Sequence, residues 1–164
     1  MAPREASVTN DSMRPAIRLA RDSDIEAIAS LVAHYWIFEK IPGFDRSRTV
    51  TLLAEFLAHS ERGHCWVAEV GGDLVGYLLV VLVFSLEHGG LMAEIDEFYV
   101  DPERRSLRIG AGLLNEASQA LEHAGIAQLQ LQLGDQNMGG KRFYEAHGFR
   151  PVPGYALWQK SLIP

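Results

Sequence analysis

The sequence predicts an α/β fold, a mixed and mostly antiparallel sheet with helices on both faces. Two β-rich runs, HCWVAEV and DLVGYLLVVLVF, flank the turn signal Gly71-Gly72-Asp73, the pattern of an antiparallel hairpin. The run QLQLQL alternates with period two after a helical stretch, so a half-buried strand follows a helix. The whole chain reads β-α-α-β-β-β-α-β-α-β, which is the third observation.

Each element has its own justification. A short strand, AIRLA, begins at Ala16. Ser23-x-x-Glu26 then reads as a capping box, and Ile25, Ile28, Val32 and Trp36 recur at helical spacing to about Phe38. Pro42 and Gly43 break that pattern before a second amphipathic run carrying Val50, Leu53, Phe56 and Leu57 on one face. The second strand of the hairpin is apolar throughout and is expected at the sheet centre. After Gly89-Gly90 the segment LMAEIDEFYV is another strand, ended by Asp101-Pro102. A helix from about Gly110 to Ala124 presents Leu113, Ala117 and Leu121 on one face and stops at Gly125. A short helix around Lys141 to His147 ends at Gly148, and the tail FRPVPGYALWQKSL is expected to supply one or two closing strands.

Residues 1–15 are polar, with two prolines and no periodicity, and read as a mobile leader; residues 16–164 read as a single domain. A chain of 164 residues buries enough surface for one core without disulfides. Its longest apolar run, Tyr77 to Phe84, is 8 residues, against the roughly 20 of a membrane-spanning helix. Fifteen Lys and Arg against 21 Asp and Glu leave a net charge of −6, which argues against nucleic acid or anionic lipid as partner and favours a cationic or neutral one. A lone Cys65 and no apolar stretch in the first 15 residues point to a cytoplasmic location. His59, His64 and Cys65 match no metal-ligand spacing, so no metal is expected.

Chemistry concentrates between Glu94 and Leu114, where a strand runs through a basic loop into a helix. Such a junction aims free backbone N–H groups at one spot that suits a phosphate. Arg104, Arg105 and Arg108 surround it, and Gly110 and Gly112 would let a ligand approach the backbone. The chain holds no GxxxxGK followed by Ser or Thr, and GAGLLN lacks the third glycine of a dinucleotide fingerprint.

The segment Arg105-Ser106-Leu107-Arg108-Ile109-Gly110 resembles the hallmark of the GNAT superfamily of N-acyltransferases, Arg or Gln-x-x-Gly-x-Gly or Ala, with Arg108 where the first Gly is usual. A second segment, Asn137-x-x-Gly-x-x-Phe-Tyr144-Glu-Ala-His-Gly148-Phe149, is similar to that family's later signature, with Gly140 for Ala and Phe143 for Leu. The run EIDEFYVDPERR looks most like the diamine acetyltransferase branch. If the loop needs positive φ at position 108, an Arg there is costly.

The resemblance implies the acyl-CoA N-acyltransferase fold and acetyl-CoA as co-substrate. It implies that the backbone of Phe98, Tyr99 and Val100 pairs with the pantetheine arm, and that Arg105, Ser106, Leu107, Arg108, Ile109, Gly110 and Ala111 hold the pyrophosphate. Asn137 would bond the pantetheine or acetyl region, with Tyr144 near the thioester sulfur as proton donor. A primary amine has a pKa near 10.4, so about one molecule in 10³ is unprotonated at pH 7 and a base or water wire is required. Glu94 stands eleven residues before Arg105, the place of the base in histone-acetylating relatives, whereas Asp96 and Glu97 match the acidic pair of diamine acetyltransferases. Regular alternation would put Glu94 and Asp96 on one face and Glu97 on the other unless a bulge intervenes. Either Glu94 or Asp96 is expected as base. Glu97, with Tyr35 and His34 from the first helix, is expected to line the acceptor pocket.

The implied activity is N-acetyl transfer from acetyl-CoA directly to an amine of a small molecule or peptide, by general base and general acid catalysis. The alternative is a non-catalytic acyl-CoA-binding sensor or partner domain. The resemblance also allows a homodimer.

Overall fold

The apolar run that begins at Tyr77 lies in strand β3 (Asp73–Ser85), the middle strand of a five-stranded sheet ordered β1-β2-β3-β4-β5. Its neighbours are β2 (Gly63–Val70) and β4 (Gly90–Val100), both antiparallel to it; β1 (Ala16–Leu19) pairs antiparallel with β2 at one edge. β5 (Leu129–Leu131) closes the other edge, parallel to β4. The computed structural model describes residues 14–162, with Ser106 and Leu107 by backbone alone, so the expected leader lies almost wholly outside the described residues. Chain contacts divide the molecule after Gln132 into two units, each taken by itself below.

In the first unit, α1 (Ile25–Glu39) and α2 (Arg46–Leu57) cover one face of the sheet, where Ile28, Ala29, Val32 and Leu53 pack on Val67, Tyr77, Leu79 and Tyr99. The opposite face carries α3 (Ile109–His123), whose buried stripe is Ile109, Leu113, Leu114, Ala117 and Leu121. Full burial of each such aliphatic side chain contributes about 1.5–3 kcal/mol, so the sheet is held from both sides. Gly112 has a packing role: a Cβ there would meet Ile17 Cδ1, so glycine lets α3 close onto β1.

The start of α1 departs from the expected capping box. A single 3₁₀ turn, Asp22–Asp24, precedes the helix, and Asp24 rather than Ser23 is the organising residue. Its Oδ2 accepts the Arg21 amide at 2.8 Å, while its two oxygens take both terminal nitrogens of Arg18 at 2.7 and 3.0 Å. Arg18 also reaches Glu69 at 3.0 Å, tying β1, β2 and the helix start together. The Arg18 guanidinium holds the Asp24 carboxyl below its ordinary range.

The second unit contains α4 (Met138–Ala146), capped by Asn137 and followed by Gly148 at φ 89°. The closing strands expected from FRPVPGYALWQKSL are absent among the described residues: 149–162 form no regular element and their side chains are exposed from 151 onward. Pro151 and Pro153 have no N–H to give a ladder, and Gly154 turns the chain at φ 86°.

Candidate active site

Strand β4 carries three carboxylates, and its pairing decides where they point. Val81 lies opposite Glu94, Val80 opposite Ile95, and Leu79 opposite Glu97, so Asp96 is an extra residue, a β-bulge. Directly opposed residues share a face. Glu94 and Glu97 therefore lie on the side of α1 and α2, with Val81 and Leu79. The alternation expected from an unbroken strand, with Glu97 opposite to Glu94, is overturned by that single insertion. Asp96 and Glu97 both line a cavity of about 490 Å³ between α1, α2 and the β3–β4 floor, in the size range of small-molecule sites.

The three carboxylates differ in their partners. Glu94 accepts the side-chain amides of Gln130 at 2.9 Å and Gln132 at 3.1 Å. Glu97 accepts Trp36 Nε1–H at 2.8 Å on one oxygen and the Tyr77 hydroxyl at 2.7 Å on the other. No hydrogen-bond donor reaches Asp96 among the described residues. Although Asp96 opens onto the cavity, surrounding protein displaces enough water to push its carboxyl above the usual range, and the charge of Glu94 adds to the effect. Burial likewise raises Glu97, opposed by its two hydrogen bonds and reinforced by Asp96.

The aromatic residues of α1 lie close by. Tyr35 meets Tyr99 edge-on with ring centroids 6.4 Å apart, and His34 is 6.5 Å from the same ring. Burial, then the charges of Glu39, Glu97 and Asp96, push the Tyr35 hydroxyl up to about 12, which places it within the field of the carboxylates. Cys65 is buried on the same side, and burial pushes its thiol up to about 12, so it stays protonated and is a poor nucleophile.

Beyond the bulge the sheet opens. β5 pairs with β4 only from Ala93 to Ile95, whereas β3 follows β4 to Val100. The β5 strand thus does not extend along β4 past Ile95. At the end of β4, Asp101 caps a 3₁₀ turn, Pro102–Leu107, accepting the Glu103 amide at 3.0 Å. Arg108 follows in the left-handed conformation at φ 55°, ψ 24°, and α3 starts at once. The loop does demand positive φ where the related motif has glycine, and Arg108 supplies it at a cost of about 1–2 kcal/mol.

The first i→i−4 bond of α3 runs from Gly112 N to Arg108 O at 3.0 Å, so the amides of Ile109, Gly110 and Ala111 have no acceptor within the helix. Arg105 folds back: its Nε donates to Val100 O at 3.3 Å, and its guanidinium carbon stands 5.4 Å over the Phe38 ring of α1. The Val100 carbonyl is thereby engaged. The side chains of Ser106 and Leu107 lie outside what is described.

In the second unit, Asn137 Oδ1 accepts the Gly140 amide at 2.8 Å, capping α4. A Cβ at position 140 would lie 2.9 Å from that oxygen, so glycine there leaves room for the cap. Tyr144 stacks edge-on with Phe149, centroids 5.3 Å apart, the Gly148 turn bringing that ring back over α4.

Sequence reasoning brings β4 and the loop before α3 together as the structure does. It misses Trp36, Tyr77, Gln130 and Gln132, the donors that occupy Glu97 and Glu94. The QLQLQL alternation did signal the glutamine face, while Trp36 and Tyr77 read only as core aromatics.

A model of the acetyltransferase (GNAT) family matches residues 13–149. Thialysine N-epsilon-acetyltransferase of Bos taurus is 27% identical over 150 residues, spanning 87% of this chain and 88% of that protein. A possible acetyltransferase from Clostridium difficile 630 superposes with a TM-score of 0.82 at 21% identity, covering 92% of this chain and 99% of the other. A predicted acetyltransferase from Clostridium acetobutylicum, solved with acetyl-CoA, does so with a TM-score of 0.75 at 19% identity, covering 88% and 96%.

Proposed function

The chain belongs to the GNAT acetyltransferase family, and from that premise we propose that this N-acetyltransferase uses acetyl-CoA and passes the acetyl group directly to the amine of a small molecule or peptide, with Asp96 as proton acceptor. The observation that carries the reading is the bulge, which adds to the cavity a carboxylate that no donor among the described residues reaches, just past the end of the β5 pairing at Ile95.

The residues present fit the co-substrate. The amides of Ile109, Gly110 and Ala111, at the positive end of α3, are donors for a pyrophosphate, with Arg108 beside them. The backbone at the end of β4 would pair with an amide-bearing arm, as an added strand would. Asn137 would contribute its Nδ2, since Oδ1 is held by the helix cap. Bound acetyl-CoA supplies an acyl thioester. All other chemistry is the chain's own.

Asp96 takes the proton from the incoming ammonium, directly or through water. Its raised pKa brings it closer to the working pH, which makes it a better base than an ordinary carboxylate. Glu94 and Glu97, whose oxygens are occupied, supply negative field for a cationic amine, with Glu97, Tyr35 and His34 on the acceptor side. Tyr144 is the proposed proton donor to the departing sulfur.

Thermal unfolding with and without acetyl-CoA, followed by a thiol-release assay over an amine panel, tests the proposal. A ligand at about 100 times its Kd adds roughly 2.7 kcal/mol of stability. Absence of any shift with acetyl-CoA, or of any thiol released above the acceptor-free rate, overturns it.

A further inference from the structure

The cavity that holds Asp96 and Glu97 has a charge pattern of its own. The two carboxylates come from the β4 floor, and the α2 wall contributes Asp45, Arg48, Glu55 and, just beyond it, Arg62. Most of these are already committed. Arg62 Nη1 pairs with Glu55 Oε1 at 2.7 Å, and Asp45 Oδ1 accepts the backbone amide of Arg48 at 2.8 Å as the cap of α2. Arg48 forms no ion pair among the described residues. Its guanidinium sits in the first turn of a 12-residue helix, where the backbone dipole also favours negative charge.

A chamber with uncommitted negative charge on its floor and one uncommitted guanidinium on its wall is matched by a molecule that is positive at one end and negative at the other. We propose that the acceptor carries an anionic group as well as its amine, and that Arg48 recognises that group while the amine faces Asp96. This rests on the acetyl-transfer reading above and narrows its acceptor to ω-amino acids and their phosphonate counterparts, with Arg48 as the residue that sets specificity. Guanidinium suits both anions because its planar fork meets two oxygens at once. A diamine would instead bring its second ammonium to Arg48 and be disfavoured.

The test uses the full-length enzyme with acetyl-CoA and matched acceptors of equal chain length: 6-aminohexanoate, 1-aminohexane and 1,6-diaminohexane, with shorter homologues of each. Within at least one chain length, kcat/KM for the amino acid should exceed that for the alkylamine and the diamine by about tenfold at low salt. That ratio should fall about tenfold in Arg48→Gln, be largely kept in Arg48→Lys, and shrink as salt is raised. Equal turnover of the three acceptors at every length, a preference for the diamine, or a ratio unmoved in Arg48→Gln overturns the assignment of Arg48 and leaves acetyl transfer standing. Failure of every acceptor in the panel overturns both. Arg48 is exposed, so the variants are expected to fold, and their unfolding curves verify it.

Discussion

At the scale of single residues, the three carboxylates of β4 are separated by what their oxygens already do. Asp96→Asn keeps the shape of the side chain and removes its charge, and we expect kcat/KM to fall by about 10²–10⁴, the usual range for loss of a general base. The rate of the native enzyme should rise with pH through the elevated pKa of Asp96, and that limb should vanish in the variant. Stability should move the other way. A carboxyl whose pKa is raised by folding contributes stability that is full at low pH and lost as pH rises through the folded value. Asp96→Asn should therefore melt higher than the native protein at pH 7, with the difference fading near pH 4. Thermal unfolding at both pH values, beside the pH–rate profile, checks this, and a variant less stable at pH 7 would contradict the direction of the shift. Arg108 shows how far a residue can be read from sequence: the motif left open whether position 108 takes positive φ, and φ 55° is found. Where its side chain points is set by neighbours that no one-dimensional pattern contains.

At the scale of elements, close approach decides more than propensity. Gly63 begins β2 where a Cβ would lie 2.0 Å from Val80 O and 2.9 Å from the Phe56 ring. The carbonyl belongs to the sheet backbone and cannot swing aside, so Gly63→Ala is expected to cost about 3 kcal/mol, read from denaturant unfolding. Order and type of nearly every element in the first unit were legible, because hydrophobic period, the Gly71-Gly72 turn and the Pro102 stop report on local backbone. The bulge was not. Its position depends on how Leu79 and Val80 register against β4, a relation between segments distant in the chain. For the same reason the Ser23–Glu26 box was misleading: Asp24 won the helix start through Arg18 and Glu69, from two strands. The tail misled through its apolar residues, which suggested strand, whereas Pro151, Pro153 and Gly154 dictate the backbone.

At the scale of the whole molecule, protection is expected to be graded. Strand β3 lies between two antiparallel partners and is buried beneath helices, so its amides and those of β2 and β4 that pair with it should exchange slowest with deuterium. Residues 151–160 form no regular element and have exposed side chains, Tyr155 and Trp158 among them, and should exchange near the rate of an unstructured peptide. Mass spectrometry of exchange resolves the two classes, and strong protection in 151–160 would contradict this grading. No helix among the described residues is long and apolar enough to cross a membrane.

The irregularity in β4 has a last implication. Excising one amino acid from a buried strand ordinarily ruins its alignment, but cutting out residue 96 would leave Val80 facing Ile95 and Leu79 facing Glu97 as before, in a tidier ladder than the native one. Such a shortened chain should refold at least as readily and, if Asp96 is the base, lose at least as much of its rate as Asp96→Asn, separating what the architecture requires from what the reaction requires within a single codon.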